Sequence, residues 1–320
     1  MTTYIIRRLL LGLVVLLLVT LIIFFFMRLL PGDPLFLFID PTSSEVLTVE
    51  ARQQLMHQYG LDTSLPVQYF SWMNGIFHGD LGKSTSANGE SVNTLIANRI
   101  PTTFYLGLMA LILGSFLGIT LGTICALRRG KWIDTLLTVL ANIGITVPSF
   151  FIGVILIYIF TYKLGWLRPP IGYVSPFTNF GVNLQQVIMP VIVLSVFLTA
   201  SLTRQTRSSM LEVIQQDYIR TAWAKGLQEQ LIIVRHTLKN GLIPVVTTMG
   251  MHVSMIFGGA VIIETVFNIP GMGRLMRDAV FGNDYQVVQS GVLIIATIIV
   301  LTNILVDISY GWFDPKIRYA

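Results

Sequence analysis

The 320-residue chain has one cysteine and four histidines, and only 12% of its residues are charged. A lone Cys125 within an apolar run permits no intrachain disulfide and is read as a small buried hydrophobe. His57, His78, His236 and His252 form no His-x-x-x-His pair, and no cysteine cluster supports them, so a catalytic metal is not expected. No Gly-x-Ser-x-Gly or Ser/His/Asp arrangement supplies a nucleophile. Gly79-Asp80-Leu81-Gly82-Lys83-Ser84 ends like a phosphate-binding loop, but the first glycine of that pattern falls on Phe77. The expectation is a non-enzyme with no catalytic residues, no bound cofactor and no metal. ATP-driven work would belong to another subunit.

What the chain has is apolar surface, at 53% of residues and a mean hydropathy of +0.72, which places it in a membrane. Its net charge of +5 is dispersed between apolar runs rather than gathered on one face, so lipid is the expected surrounding and nucleic acid is not an expected partner. A helix needs about 20 apolar residues to cross the hydrocarbon core. That rule picks out six spans, near Leu9–Leu30, Phe104–Leu127, Leu136–Tyr162, Val187–Leu202, Leu242–Val266 and Val287–Phe313. The first is too long for a cleavable leader and lacks its small-residue cleavage pattern, so it is read as an anchored helix.

Alternating spans put the cationic clusters on one side: Arg7 and Arg8; Arg128, Arg129 and Lys131; Arg204 to Lys239; Lys316 and Arg318. Both termini are therefore expected to be cytoplasmic. The other side receives a polar loop of about 70 residues between spans one and two, too long for a turn. The expected organisation is 1–30 as N-terminal segment and first span, 31–100 as an extracytoplasmic loop subdomain, and 101–320 as the core, with a cytoplasmic loop at 203–241. Within span two, Gly114, Gly118 and Gly122 fall on one helix face and permit close approach of a neighbour. Pro148 is expected to kink span three.

Candidates for a transport path are the polar residues placed in or beside apolar spans. They are His252 and Glu264 in and near the end of span five, Asp307 in span six, and Pro270 and Gly271 in the turn after span five. Ionisable groups inside hydrocarbon need partners or water, which makes each of them a candidate. The polar, basic run Asp217-Tyr218-Ile219-Arg220-Thr221-Ala222-Trp223-Ala224-Lys225-Gly226-Leu227 interrupts the apolar chain and is read as a surface for a soluble partner.

Taken together, several segments resemble the first transmembrane permease subunit of the dipeptide, oligopeptide and nickel ABC importers. They are the opening Arg-Arg-Leu with Leu30-Pro31-Gly32-Asp33-Pro34; His78-Gly79-Asp80-Leu81-Gly82-x-Ser84; Arg207-Ser208-Ser209-Met210-Leu211-Glu212-Val213; and the 217–227 run. Further on come His236-x-Leu238-Lys239-Asn240, Glu264-Thr265-Val266-Phe267, Pro270-Gly271-Met272-Gly273 and Asp314-Pro315-Lys316-Ile317-Arg318. The resemblance covers essentially the whole chain. It implies an all-α integral membrane protein with the type I ABC importer permease fold. It also implies a bacterial or archaeal cytoplasmic membrane and a path for peptides, nickel chelates or glutathione.

The implied partners are a second homologous permease, two ATP-binding-cassette ATPases that carry the ATP and Mg, and an extracytoplasmic solute-binding protein. The resemblance also makes 220–227 a coupling helix docked in an ATPase cleft, where Ala222 and Ala224 would allow close packing. The broad pattern opens Glu-Ala-Ala, whereas Arg220, Thr221 and Ala222 stand here, and Trp223 occupies a position where Arg is expected. The reading from another class is a self-sufficient carrier or channel using Glu264, Asp307 and His252 as an ion path.

Overall fold

The computed structural model describes residues 2–29, 35, 48–86, 89–167 and 171–313. The motifs at 30–34 and 314–318 lie outside them. In chain order the helices are α1 (Thr2–Leu29), α2 (Val49–Gln58), α3 (Leu65–Phe77), α4 (Val92–Leu127), α5 (Trp132–Thr146) and α6 (Ser149–Leu156). They continue with α7 (Phe180–Ile214), α8 (Asp217–Ala224), α9 (Lys239–Val266), α10 (Met272–Phe281) and α11 (Tyr285–Phe313). A π-helical stretch, Ile157–Lys163, prolongs α6, and another, Ile232–Leu238, leads into α9 after the short turn Glu229–Leu231. No strand forms among the described residues.

Among the described residues, four helical segments are long and apolar enough to cross a membrane: Ile5–Leu29, Val92–Leu127, Phe180–Ile214 and Tyr285–Val306. The pair Trp132–Thr146 and Ser149–Lys163 makes a fifth if it counts as one span.

The sequence-based spans need three corrections. Span two begins at Val92 rather than Phe104 and carries Pro101 inside the helix, because the polar first turns add no hydropathy yet continue the helix. Span three is not one kinked helix: α5 and the α6 segment meet at 104°. Pro148 has no N–H to give, and it drives Val147 into extended backbone at φ −75° and ψ 128°. Span four is not short; α7 runs 35 residues from Phe180 to Ile214 with Pro190 inside. Hydropathy misses its ends because their polar residues are satisfied by tertiary partners: Asn183 accepts from the Tyr105 hydroxyl at 3.0 Å, and Gln186 accepts from the Val174 amide at 2.9 Å. Within 203–241, α7 continues to Ile214 and α9 begins at Lys239.

By contact the described residues form two compact units, one within 104–269 with 302–313 and one within 2–103 with 270–301. That division departs from a simple N-to-C partition, because 270–301 joins the N-terminal residues. In the first unit α7 is the central helix. Leu106 of α4, Val187, Met189 and Val193 of α7, and Ile263 with Phe267 beyond them are buried together.

The glycines of α4 lie against α7 at close range. A Cβ on Gly114 would come within 2.8 Å of Leu198, on Gly118 within 2.6 Å of Leu202, and on Gly122 within 2.6 Å of Thr206 and 2.7 Å of the Thr203 carbonyl. Lipid is as apolar as the leucines, so this fit gains dispersion contacts rather than expulsion of water.

The second unit explains the loop that imitates a phosphate site. Gly79 and Gly82 take φ +77° and +86°, the left-handed region that favours glycine. The turns they make carry Ser84 and Ser86 to the buried Asp284. The Ser84 hydroxyl donates to that carboxylate, as do the Ser86 hydroxyl at 2.8 Å and the Ser86 amide at 3.2 Å. Asp284 also accepts from the Val287 amide at 3.2 Å, so it caps α11. The Leu81 carbonyl accepts from Gln286 and Ser290, each at 3.2 Å. The motif is thus a staple between a loop and the start of α11.

Candidate functional site

Residues 217–227 form a short helix with two unlike faces. Gln216 precedes α8 in extended backbone, and Asp217 places a carboxylate in the first turn, where the helix dipole favours it. Ile219 and Ala222 are buried against Val213, Leu227 and Ile232 of the same chain. They seat the helix on the rest of the chain. Ala224 is exposed.

Arg220, with its side chain 75% exposed, and the part-exposed rings of Tyr218 and Trp223 lie outside that seat. Arg220 stands 3.6 Å from Asp217 in a solvated pair that contributes little and leaves the guanidinium available to a partner. The Thr221 hydroxyl donates to the Asp217 carbonyl at 3.0 Å, and the Tyr218 hydroxyl accepts from Asn240 at 2.9 Å.

The helix stops at Lys225, whose amide donates to the Thr221 carbonyl at 3.0 Å. Gly226 then takes φ +73°, and its amide donates to Trp223 at 2.9 Å while Leu227 closes back on Ala222 at 3.4 Å. This is a glycine C-terminal stop whose left-handed residue sends the chain back toward α9. Beside it a cleft of about 290 Å³ is lined by Leu211, Ile219, Trp223, Glu229 and Ile232.

A clamp that sequence reasoning missed holds this end of the unit. Arg207 of α7 donates to both oxygens of Asp134 at the start of α5, at 2.7 and 2.8 Å. The Gly130 amide donates to the same carboxylate at 3.1 Å. The Asp134 side chain is 6% exposed and that of Arg207 31%. This is a bidentate pair, the geometry in which Arg and a carboxylate interact most strongly. The one signal in the sequence was Asp134 itself, an acid at the edge of an apolar run. Nearby, the Ser209 hydroxyl donates to the Gly241 carbonyl at 2.7 Å, tying α7 to α9.

The path candidates fall in different places. His252 of α9 lies 2.9 Å from the Ser201 hydroxyl through Nε2 and stands edge-on to Phe197. It lines a cavity of about 320 Å³ along the break at Pro148, with Thr146, Ser149 and Phe197. Glu264 is fully buried near the end of α9, and its carbonyl accepts from the Ile269 amide at 2.8 Å. Gly271 precedes α10 in extended backbone, after Pro270. Asp307 is on α11, and its side chain lies outside the described residues.

Residues 118–319 match the model of the binding-protein-dependent transport system inner membrane component, and residues 1–107 match that family's N-terminal model. The chain belongs to this family. Its sequence is 41% identical over 320 residues to a peptide permease protein of Brucella suis, covering 99% of each chain. It is 39% identical over 321 residues, covering all of both chains, to the oligopeptide transport system permease protein AppB of Bacillus subtilis. A solved structure of the inward-facing MetNI methionine ABC transporter aligns with a TM-score of 0.56 at 15% identity, covering 69% of this chain and 96% of that one. That likeness shows a shared fold. The chain is thus a non-catalytic, multi-pass ABC importer permease of the bacterial cytoplasmic membrane that works with other transporter subunits.

Proposed function

We propose that this permease forms, with a second similar permease, the path by which peptides enter the cell. The observation that carries the substrate class is end-to-end similarity to relatives named for peptide and oligopeptide transport. Two cytoplasmic ATPases hold the ATP and Mg, and an extracytoplasmic binding protein delivers the peptide. All six apolar stretches cross the membrane, α5 with the α6 segment as one broken span and α9 as another. Both termini are cytoplasmic, which puts the cations at 7–8, 128–131, 204–239 and 316–318 on that side.

Residues 217–227 are the coupling element. Arg220, Trp223 and Lys225 face the ATPase, Ile219 and Ala222 hold the helix to the permease, and closure of the ATPase pair moves the membrane helices as a switch between access states. His252, beside the broken helix, and Glu264 are the path candidates of this half, with Pro270 and Gly271 at the turn after α9.

Reconstitution tests the reading. With the second permease, both ATPases and the binding protein in proteoliposomes, labelled di- and oligopeptides accumulate only when ATP is supplied to the ATPase side. Uptake by the isolated chain under an ion gradient would instead establish the self-sufficient carrier.

A further inference from the structure

We propose that α3 lies at the depth of the outer leaflet, with Val67, Phe70 and Phe77 facing lipid acyl chains. The sequence assigns this segment to a polar extracytoplasmic loop, yet its 13 residues, Leu-Pro-Val-Gln-Tyr-Phe-Ser-Trp-Met-Asn-Gly-Ile-Phe, include no charged side chain. One face packs on α1. The Tyr69 hydroxyl is 2.8 Å from the Thr20 hydroxyl, and the rings of Tyr69 and Trp72 lie 5.2 and 5.9 Å from that of Phe24.

Depth follows from α1. Arg8 and Arg28 are twenty positions apart on one helix, which is about 30 Å at 1.5 Å per residue. That matches the thickness of the hydrocarbon core, so the two arginines mark its borders. Thr20 is eight positions inside Arg28, about 12 Å into the core. A helix whose Tyr69 reaches Thr20, and whose Gln68 accepts from Arg28 Nε at 3.0 Å, packs on α1 between the levels of Thr20 and Arg28.

Arg28 fits this level. Its guanidinium sits 3.5 Å over the Phe24 ring and bonds to Gln68, so the protein supplies partners that lipid tails cannot.

The other face of α3 is uncharged and exposed, and three of the four positions of its stripe are large and apolar. Val67 is 54% exposed, Phe70 70% and Phe77 80%, and with Asn74 they follow the 3-4-3 spacing of one helical stripe. In water such a stripe on an uncharged helix would be an adhesive patch. Beside α1, whose own outward residues Leu13, Ile22 and Phe26 are 60% or more exposed, it continues a lipid-facing surface.

Nitroxide labels on Val67→Cys, Phe70→Cys and Phe77→Cys, in a Cys125→Ser background, test this in the assembled transporter in nanodiscs. Oxygen, which concentrates in lipid, should relax these labels several-fold more effectively than a water-soluble nickel chelate, as at Leu13→Cys. The exposed Lys83→Cys should show the reverse. Nickel access at the α3 positions would overturn the proposal by placing the face in water. Shielding from both reagents would overturn it by placing the face against another protein. Val67→Cys, the smallest change, keeps the test decisive if the phenylalanine variants fail to assemble.

Discussion

Replacing Arg207 with alanine is expected to destabilise the permease by about 3 kcal/mol, more than most single changes cost. The reason is the asymmetry of the pair: Asp134 is 6% exposed, so without Arg207 its carboxylate is left in a poorly solvated site with only the Gly130 amide and Thr138 as partners. The partial exposure of Arg207 keeps the loss toward the lower end for a buried pair. Thermal unfolding of purified protein in nanodiscs measures it. Asp134→Ala added to Arg207→Ala should recover most of the loss, because the uncompensated charge is then gone. Equal stability of Arg207→Ala and the unchanged protein would show that the clamp contributes nothing.

Gly226→Val should act on coupling rather than on folding. Nothing lies within 4 Å of a Cβ at this position, so the side chain meets no obstacle. The backbone, at φ +73°, is the difficulty, since a β-branched residue disfavours that region by roughly 1–2 kcal/mol. The chain then relieves the strain by shifting the exit from α8 and with it the exposed face of Arg220 and Trp223. Peptide uptake per ATP hydrolysed is expected to fall by about tenfold, the factor that some 1.4 kcal/mol represents. Membrane insertion should be unaffected. Gly226→Asn, which tolerates the left-handed region better, should retain most of the uptake. Full uptake in Gly226→Val would remove this turn from the coupling mechanism.

The sequence carried the chain's class because apolar runs the length of a bilayer rarely occur outside one, and the cationic clusters repeat at every second span. It also carried the α4 glycine stripe, since a four-residue period maps directly onto one helix face. Helix ends were less legible. Asn183, Gln186 and Arg207 read as polar interruptions, and only their distant partners Tyr105, Val174 and Asp134 reveal them as parts of α7's packing. Pro148 announced a bend, but its 104° angle depends on how two apolar segments pack around it.

Of the two alanines flanking Trp223, composition could not say which turns inward; Ile219 settles it by burying the Ala222 side of α8. The staple at Asp284 was invisible because its serines lie some 200 positions earlier in the chain.

The central claim is that the exposed face of α8 is where an ATPase docks. Ala224→Cys tests it most directly, since Ala224 is exposed beside Trp223 and the native Cys125 is buried. Thiol crosslinking to single cysteines along the ATPase cleft, in the assembled transporter, should join Ala224→Cys to the ATPase, with a yield that changes on ATP binding. No ATPase adduct at any linker length, while a control cysteine elsewhere on the cytoplasmic face does crosslink, would contradict the account.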